Sequence, residues 1–76
     1  MQSALLDKIK KRIDKRDPGE FVLPDVYGKG WEALYPGDQT RMNRRFLELV
    51  RHGDFPQVRD TLRAGDRGQI FIKHPH

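Results

Sequence analysis

The residues of this chain best suited to chemistry are its arginines. Arg41, Arg44, Arg45 and Arg51 fall within one short stretch, and Arg63 and Arg67 follow close behind. A guanidinium is planar, permanently charged and rich in donors. It grips phosphate oxygens and can bond a guanine edge through two parallel hydrogen bonds. That is binding chemistry, and covalent catalysis has few candidates to set beside it. Cysteine is absent, Ser3 is the only serine, and His52, His74 and His76 are the only histidines. Ser3 is better placed to cap a helix. His52 falls at a helix C-terminus, where it complements the dipole. His74 and His76 sit two apart in a tail and make a poor metal site. Asp25 and Glu32 lack the suitably spaced lysine of a nuclease. Gly28-Lys29-Gly30 is too short to cradle a phosphate, and no strand leads from it into a long helix. The residues thus imply no catalytic group, no metal and no cofactor.

The elements that must position these arginines can be read from periodicity and breakers. Leu5, Leu6, Ile9 and Ile13 fall at helical spacing and predict a helix over residues 3–16, with Ser3 as its cap. Its other faces carry Lys8, Lys10, Lys11, Arg12, Lys15 and Arg16, which can track phosphates or simply meet solvent. Asp17-Pro18-Gly19 ends it. Glu20 to Leu23 reads as a short strand. Short helices are expected over 24–28, opened by Pro24, and over 30–34. Met42, Phe46, Leu49 and Val50 then mark one face of a long helix over 38–52, with Asp38 as its N-cap or Pro36 in its first turn, and Gly53 after its end. Arg41, Arg44, Arg45 and Arg51 spread over the rest of that wheel. Gln39 and Asn43, at the borders of the apolar face, could read adenine edges.

The last part reads as a β-hairpin over 58–73, with Ala64 to Gly68 as the turn. Alternation puts Val58, Leu62, Ile70 and Ile72 on the inner face. Arg59, Thr61, Arg63 and Phe71 then point outward, and Arg67 sits at the tip.

Charge follows these segments. The chain has 76 residues and a net charge of +4, from 15 Lys and Arg against 11 Asp and Glu. Residues 1–17 hold six bases and three acids, and residues 37–53 hold four and two. Residues 18–36 hold one base and three acids, so the middle segment is acidic. The positive excess lies on the two long helices and the hairpin, which favours a polyanionic partner. Hydrophobic residues make up 36% and charged residues 34%. One small domain with a thin core follows, which excludes a two-domain enzyme or a deep enclosed site. The lack of cysteine suits a reducing cytoplasm. No stretch approaches the length of a membrane span, and the N-terminus does not read as a signal peptide.

A helical core followed by a two-stranded hairpin predicts an α+β fold of winged helix-turn-helix type, with a three-helix core and a C-terminal wing. The 38–52 helix would enter the major groove, and the hairpin would touch flanking phosphates. The string Phe21-Val22-Leu23-Pro24-Asp25-Val26-Tyr27-Gly28 continues with Trp31, Leu34 and Pro36-Gly37. Arg44-Arg45-Phe46, Val50, Gly53 and Phe55-Pro56 come next. Together these resemble a family of small bacterial and phage domains of unknown function, described as winged-helix-like. The resemblance spans about residues 20–63. It implies a fold and brings no catalytic residues with it.

Two readings of function follow. In the first, the chain is a non-enzymatic DNA-binding domain, a regulator or accessory factor of a bacterium or mobile element. Arg41, Arg44, Arg45, Arg51, Arg63 and Arg67 would carry its contacts. If Arg44, Arg45, Arg51, Arg63 and Arg67 each met a phosphate, log K would fall against log salt with a slope near -4 to -5, at about 0.9 per phosphate. In the second, the domain binds a protein, as a phage-encoded inhibitor or an adaptor would. Exposed arginines forming one patch favour the first, and a patch broken by Glu48 and Asp60 favours the second. The apolar stripe of the first helix also offers a homodimer contact, as in a purely structural subunit.

Overall fold

The computed structural model describes residues 3–75. Helix α1 (Ser3–Lys15) leads into strand β1 (Gly19–Val22), helix α2 (Leu23–Tyr27) and a single 3-10 turn at Lys29–Trp31. Helix α3 (Pro36–His52) and strands β2 (Val58–Gly65) and β3 (Gly68–Lys73) complete the chain. Three helices thus pack with a three-stranded antiparallel sheet of order β1-β3-β2. The α+β class is as expected. The expected short strand near residue 20 does not stand alone, because it pairs along the free edge of β3.

Helix α3 starts earlier than Asp38. Tyr35 is its extended N-cap residue, Pro36 opens it and Asp38 lies in the first turn. Proline loses nothing there, since its missing N–H would have no helical partner. Gly53 ends the helix at φ +98°, and the Gly53 and Asp54 N–H groups return to Leu49 O. Ser3 lies within α1 and is not a preceding cap. The second short helix expected over 30–34 is reduced to the 3-10 turn.

The core is built from Ile9 and Ile13 of α1, Leu23 and Val26 of α2, Trp31, and Phe46, Leu49 and Val50 of α3, with Phe21, Phe55, Val58 and Phe71. Phe46 is its centre. Its ring lies 4.7 Å from Phe71, 4.9 Å from Phe55 and 6.5 Å from Phe21. Edge and tilted contacts of this kind are the favoured geometry for aromatic quadrupoles. Ile9 and Ile13 are consumed in this core, and Leu5 and Leu6 pack partly against it. The monomer therefore uses much of the stripe that offers a homodimer contact.

The hairpin corrects the expected alternation. Phe71 is fully buried, while Ile70 and Ile72 are only half-buried on the opposite face. Three consecutive apolar residues satisfy either phase of a strand, and a shift of one exchanges the faces. The phase is set by Phe71 opposite Phe21 in β1, with ring centroids 6.0 Å apart. Val58 is buried as expected. Leu62 is not. The register passes from Asp60↔Phe71 to Arg63↔Ile70, so Thr61 and Leu62 form a bulge, and Leu62 emerges 80% exposed.

Two basic side chains fasten the elements together. Lys73, which follows Phe71 on the core face, is buried, and its ammonium donates to Asp14 O at 3.0 Å and Arg16 O at 2.6 Å. It thereby ties β3 to the open carbonyls at the end of α1, where a cation also meets the negative end of the dipole. Arg12 donates to Val26 O at 3.2 Å and to Tyr27 O, closing the end of α2. Gly28 follows at φ +99°, and a Cβ there would meet the Arg12 guanidinium.

Candidate nucleic-acid interface

Helix α3 turns Phe46, Leu49 and Val50 inward, so Arg41, Arg44, Arg45 and Arg51 are exposed on its remaining surface. About 100° per residue puts Arg41, Arg44 and Arg51 opposite Phe46, with Arg45 nearer the side. Local charge pairing then separates the four. Arg45 pairs with Glu48 at 3.2 Å, one helical turn on. Arg51 pairs with Asp60 of β2 at 3.2 Å. Among the described residues, Arg41 and Arg44 have no carboxylate within salt-bridge distance.

The hairpin arginines are held from the acidic middle segment. Arg67, in the β2–β3 turn, reaches Asp25 of α2 at 3.0 Å. The same carboxylate accepts the Val22 N–H at 3.4 Å, so Asp25 fixes both the start of α2 and the hairpin tip. Arg63 pairs with Glu20 of β1 across the central strand. Its register partner is Ile70, whose face of the sheet is opposite that of Phe71. Helix α3 packs on the Phe71 side, so Arg63 faces away from the α3 arginines. The six arginines do not form a single patch. Arg67 lies beside the N-terminal half of α3, Arg51 at its C-terminal end, and Arg41 and Arg44 between them.

The hairpin tip rests directly on α3. Thr40, Asn43, Arg44 and Leu47 share a shallow open groove with Gly68 and Gln69. Gly68 has φ +107°, and a Cβ on it would stand 2.9 Å from Asn43 Nδ2. Close approach and backbone shape both call for glycine there. The two amides at the borders of the apolar face are both engaged within the fold. Asn43 is half-buried under the turn and donates to Gln39 O at 3.3 Å. Gln39 donates to Trp31 O at 2.9 Å. Both amides serve the packing of α3 and are not held out toward a base.

Asp60 is joined to this groove through Gln69. Its side chain is 8% exposed. It accepts from Arg51, from Gln69 and from the Leu62 N–H at 2.9 Å. Burial works to raise the Asp60 carboxyl, but the Leu62, Gln69 and Arg51 donors outweigh it and hold the pKa below the ordinary aspartate value. Thr61 Oγ1 donates to Ile70 O at 2.7 Å and accepts the Arg63 N–H at 3.2 Å. The bulge is thus pinned on both sides of Leu62, which adopts φ +62°. Sequence reasoning missed this cluster. Its signal was Asp60-Thr61, two residues that readily bond backbone N–H groups two positions on.

Phe71, expected to point outward, contributes no exposed contact. Among the described residues, no three His, Cys, Asp or Glu side chains gather as a metal donor set, and no helix is long and apolar enough to cross a membrane. No family model, curated protein or solved structure matches the chain.

Proposed function

We propose that this chain is a winged-helix domain that binds duplex DNA without a cofactor, with α3 in the major groove and the β2–β3 hairpin beside it. The observation that carries the reading is the pair Arg41 and Arg44. They project from the solvent side of a 17-residue helix, exposed and without a carboxylate partner among the described residues. The order of elements and the sheet order β1-β3-β2 support it, since they leave α3 with one open face and set the hairpin tip along its flank. So does the resemblance of residues 20–63 to winged-helix-like bacterial and phage domains of unknown function. A DNA-binding domain of this size would serve as a regulator or accessory factor of a bacterium or mobile element, working in the cytoplasm. We read it as non-enzymatic, because its lone serine and His52 lie at helix ends and His74 follows the last strand.

The ion pairs modify the expected footprint. A largely exposed pair contributes about 0–1 kcal/mol, so a phosphate can replace the Asp25 carboxylate on Arg67. Such an exchange frees a carboxylate that gathers a cation again, which flattens the salt dependence. The footprint of Arg41, Arg44 and Arg67 gives a slope of about -2 to -3 at about 0.9 per phosphate. A salt series on a mixed-sequence duplex tests this, beside Arg41→Ala/Arg44→Ala. Absence of binding by the native chain at 50 mM salt would sink the reading.

One observation favours the second reading, a protein-interaction module. Glu48, Asp60, Glu20 and Asp25 each hold one arginine and break the positive field. A protein that captures this domain while DNA does not bind would support that reading.

A further inference from the structure

Leu62 is a large aliphatic side chain, 80% exposed, at φ +62°. A non-glycine residue is disfavoured in this left-handed region, because Cβ crowds the following carbonyl. An exposed leucine has little burial to compensate for that. The bulge is nevertheless tightly built. The Leu62 N–H is bound by Asp60 Oδ1, Asp60 Oδ2 is bound by Arg51 of α3, and Thr61 is tied to Ile70 O. The fold therefore holds one apolar tip in a fixed, strained position beside the last turns of α3. Such a strained outlier directs attention to function.

Its surroundings indicate the partner. Arg51 of α3 meets the same Asp60 carboxylate that holds the Leu62 N–H, whereas Arg59 and Arg63, with register partners Ile72 and Ile70, belong to the other face of the sheet. Leu62 and Tyr35 are the exposed large hydrophobics among the described residues, and Tyr35 lies at the other end of α3. A protein interface needs a contiguous apolar centre, which a lone leucine does not supply. A single aliphatic tip beside an exposed α3 arginine suits a base step, where the bases are apolar and the flanking strands are anionic.

We propose that Leu62 is an apolar wedge that enters the minor groove of bound duplex DNA and opens a base step, bending the duplex. The proposal rests on the DNA-binding reading above. With α3 in a major groove, an element fixed at its flank lies over the adjacent backbone and minor groove. Arg51 would then be the α3 cation nearest the opened step.

The test is ligase-catalysed circularisation of a mixed-sequence duplex of about 120 base pairs, shorter than the roughly 150-base-pair persistence length, so that circles report bending. The native chain is expected to raise circle yield about fivefold or more, as an inserted wedge that kinks its step would. Leu62→Ala should lose this gain and bind about tenfold more weakly, with an unchanged salt slope because no cation is removed. Leu62→Gly should behave alike and relaxes the backbone, so a folding defect cannot mimic the result. A Leu62→Ala protein that bends DNA as the native chain does would overturn the wedge and leave DNA binding standing. Failure of the native chain to bind this duplex at 50 mM salt would remove both. Self-association by sedimentation that Leu62→Ala dissolves would make Leu62 a protein contact and overturn the wedge.

Discussion

At the residue scale, Asp60 and Leu62 make the sharpest predictions. Asp60 is almost buried and accepts from three donors on three elements. Asp60→Ala leaves the Leu62 N–H and the Gln69 amide short of a partner and should cost about 1–3 kcal/mol in urea unfolding. Its carboxyl is held below the ordinary value in the folded state. Its contribution is therefore complete above the unfolded aspartate pKa, near 3.9, and is lost as pH falls from there through the lower folded value. Stability measured between about pH 5 and pH 2 should fall less steeply in Asp60→Asn than in the native chain, since the neutral amide has no proton to take up. Equal slopes would mean that Asp60 does not carry this effect. Leu62→Gly should leave the melting temperature unchanged or raise it by a few degrees, because release of left-handed strain of about 1–2 kcal/mol offsets glycine's entropy of about 0.5–1 kcal/mol. Neither behaviour was legible from residue types. Leu62 fits an inner strand position by alternation, and only the two-residue bulge, set by Asp60 and Thr61, turns it out.

At the element scale, helices were more legible than strands. The Met42, Phe46, Leu49, Val50 spacing located α3, and Ile9 and Ile13 located α1, because a helix must turn one narrow stripe inward. Glycine and proline marked the breaks well enough to find the hairpin. The face of the sheet was not legible. Ile70-Phe71-Ile72 has no polar residue to set the phase, and the choice rests on aromatic packing with Phe21 and Phe46 from distant parts of the chain. Lys73 was equally hidden. It reads as a solvated terminal lysine, yet its ammonium closes the end of α1. Lys73→Met keeps most of the apolar stem and removes the donor. It should destabilise the domain by about 1–3 kcal/mol and speed amide exchange in the last turn of α1 more than in α3. Uniform acceleration across both helices would argue that Lys73 acts only through global stability.

At the scale of the whole molecule, the charge of +4 gains a distribution it lacked as a sum. Acidic residues of the middle segment reach out to the hairpin, with Glu20 on Arg63 and Asp25 on Arg67. Among the described residues, Arg41 and Arg44 are the α3 arginines without a carboxylate partner. The sequence showed which cations existed. It could not show which had partners, since pairs such as Arg63–Glu20 join residues 43 apart in the chain. The most direct test of the central claim is the salt dependence of duplex DNA binding, measured for the native chain and for Arg41→Ala/Arg44→Ala. The native chain is expected to show a slope of about -2 to -3, and the double variant to lose about 1.8 of it, at about 0.9 per phosphate. A native slope near zero, or an identical slope in the two proteins, would contradict it.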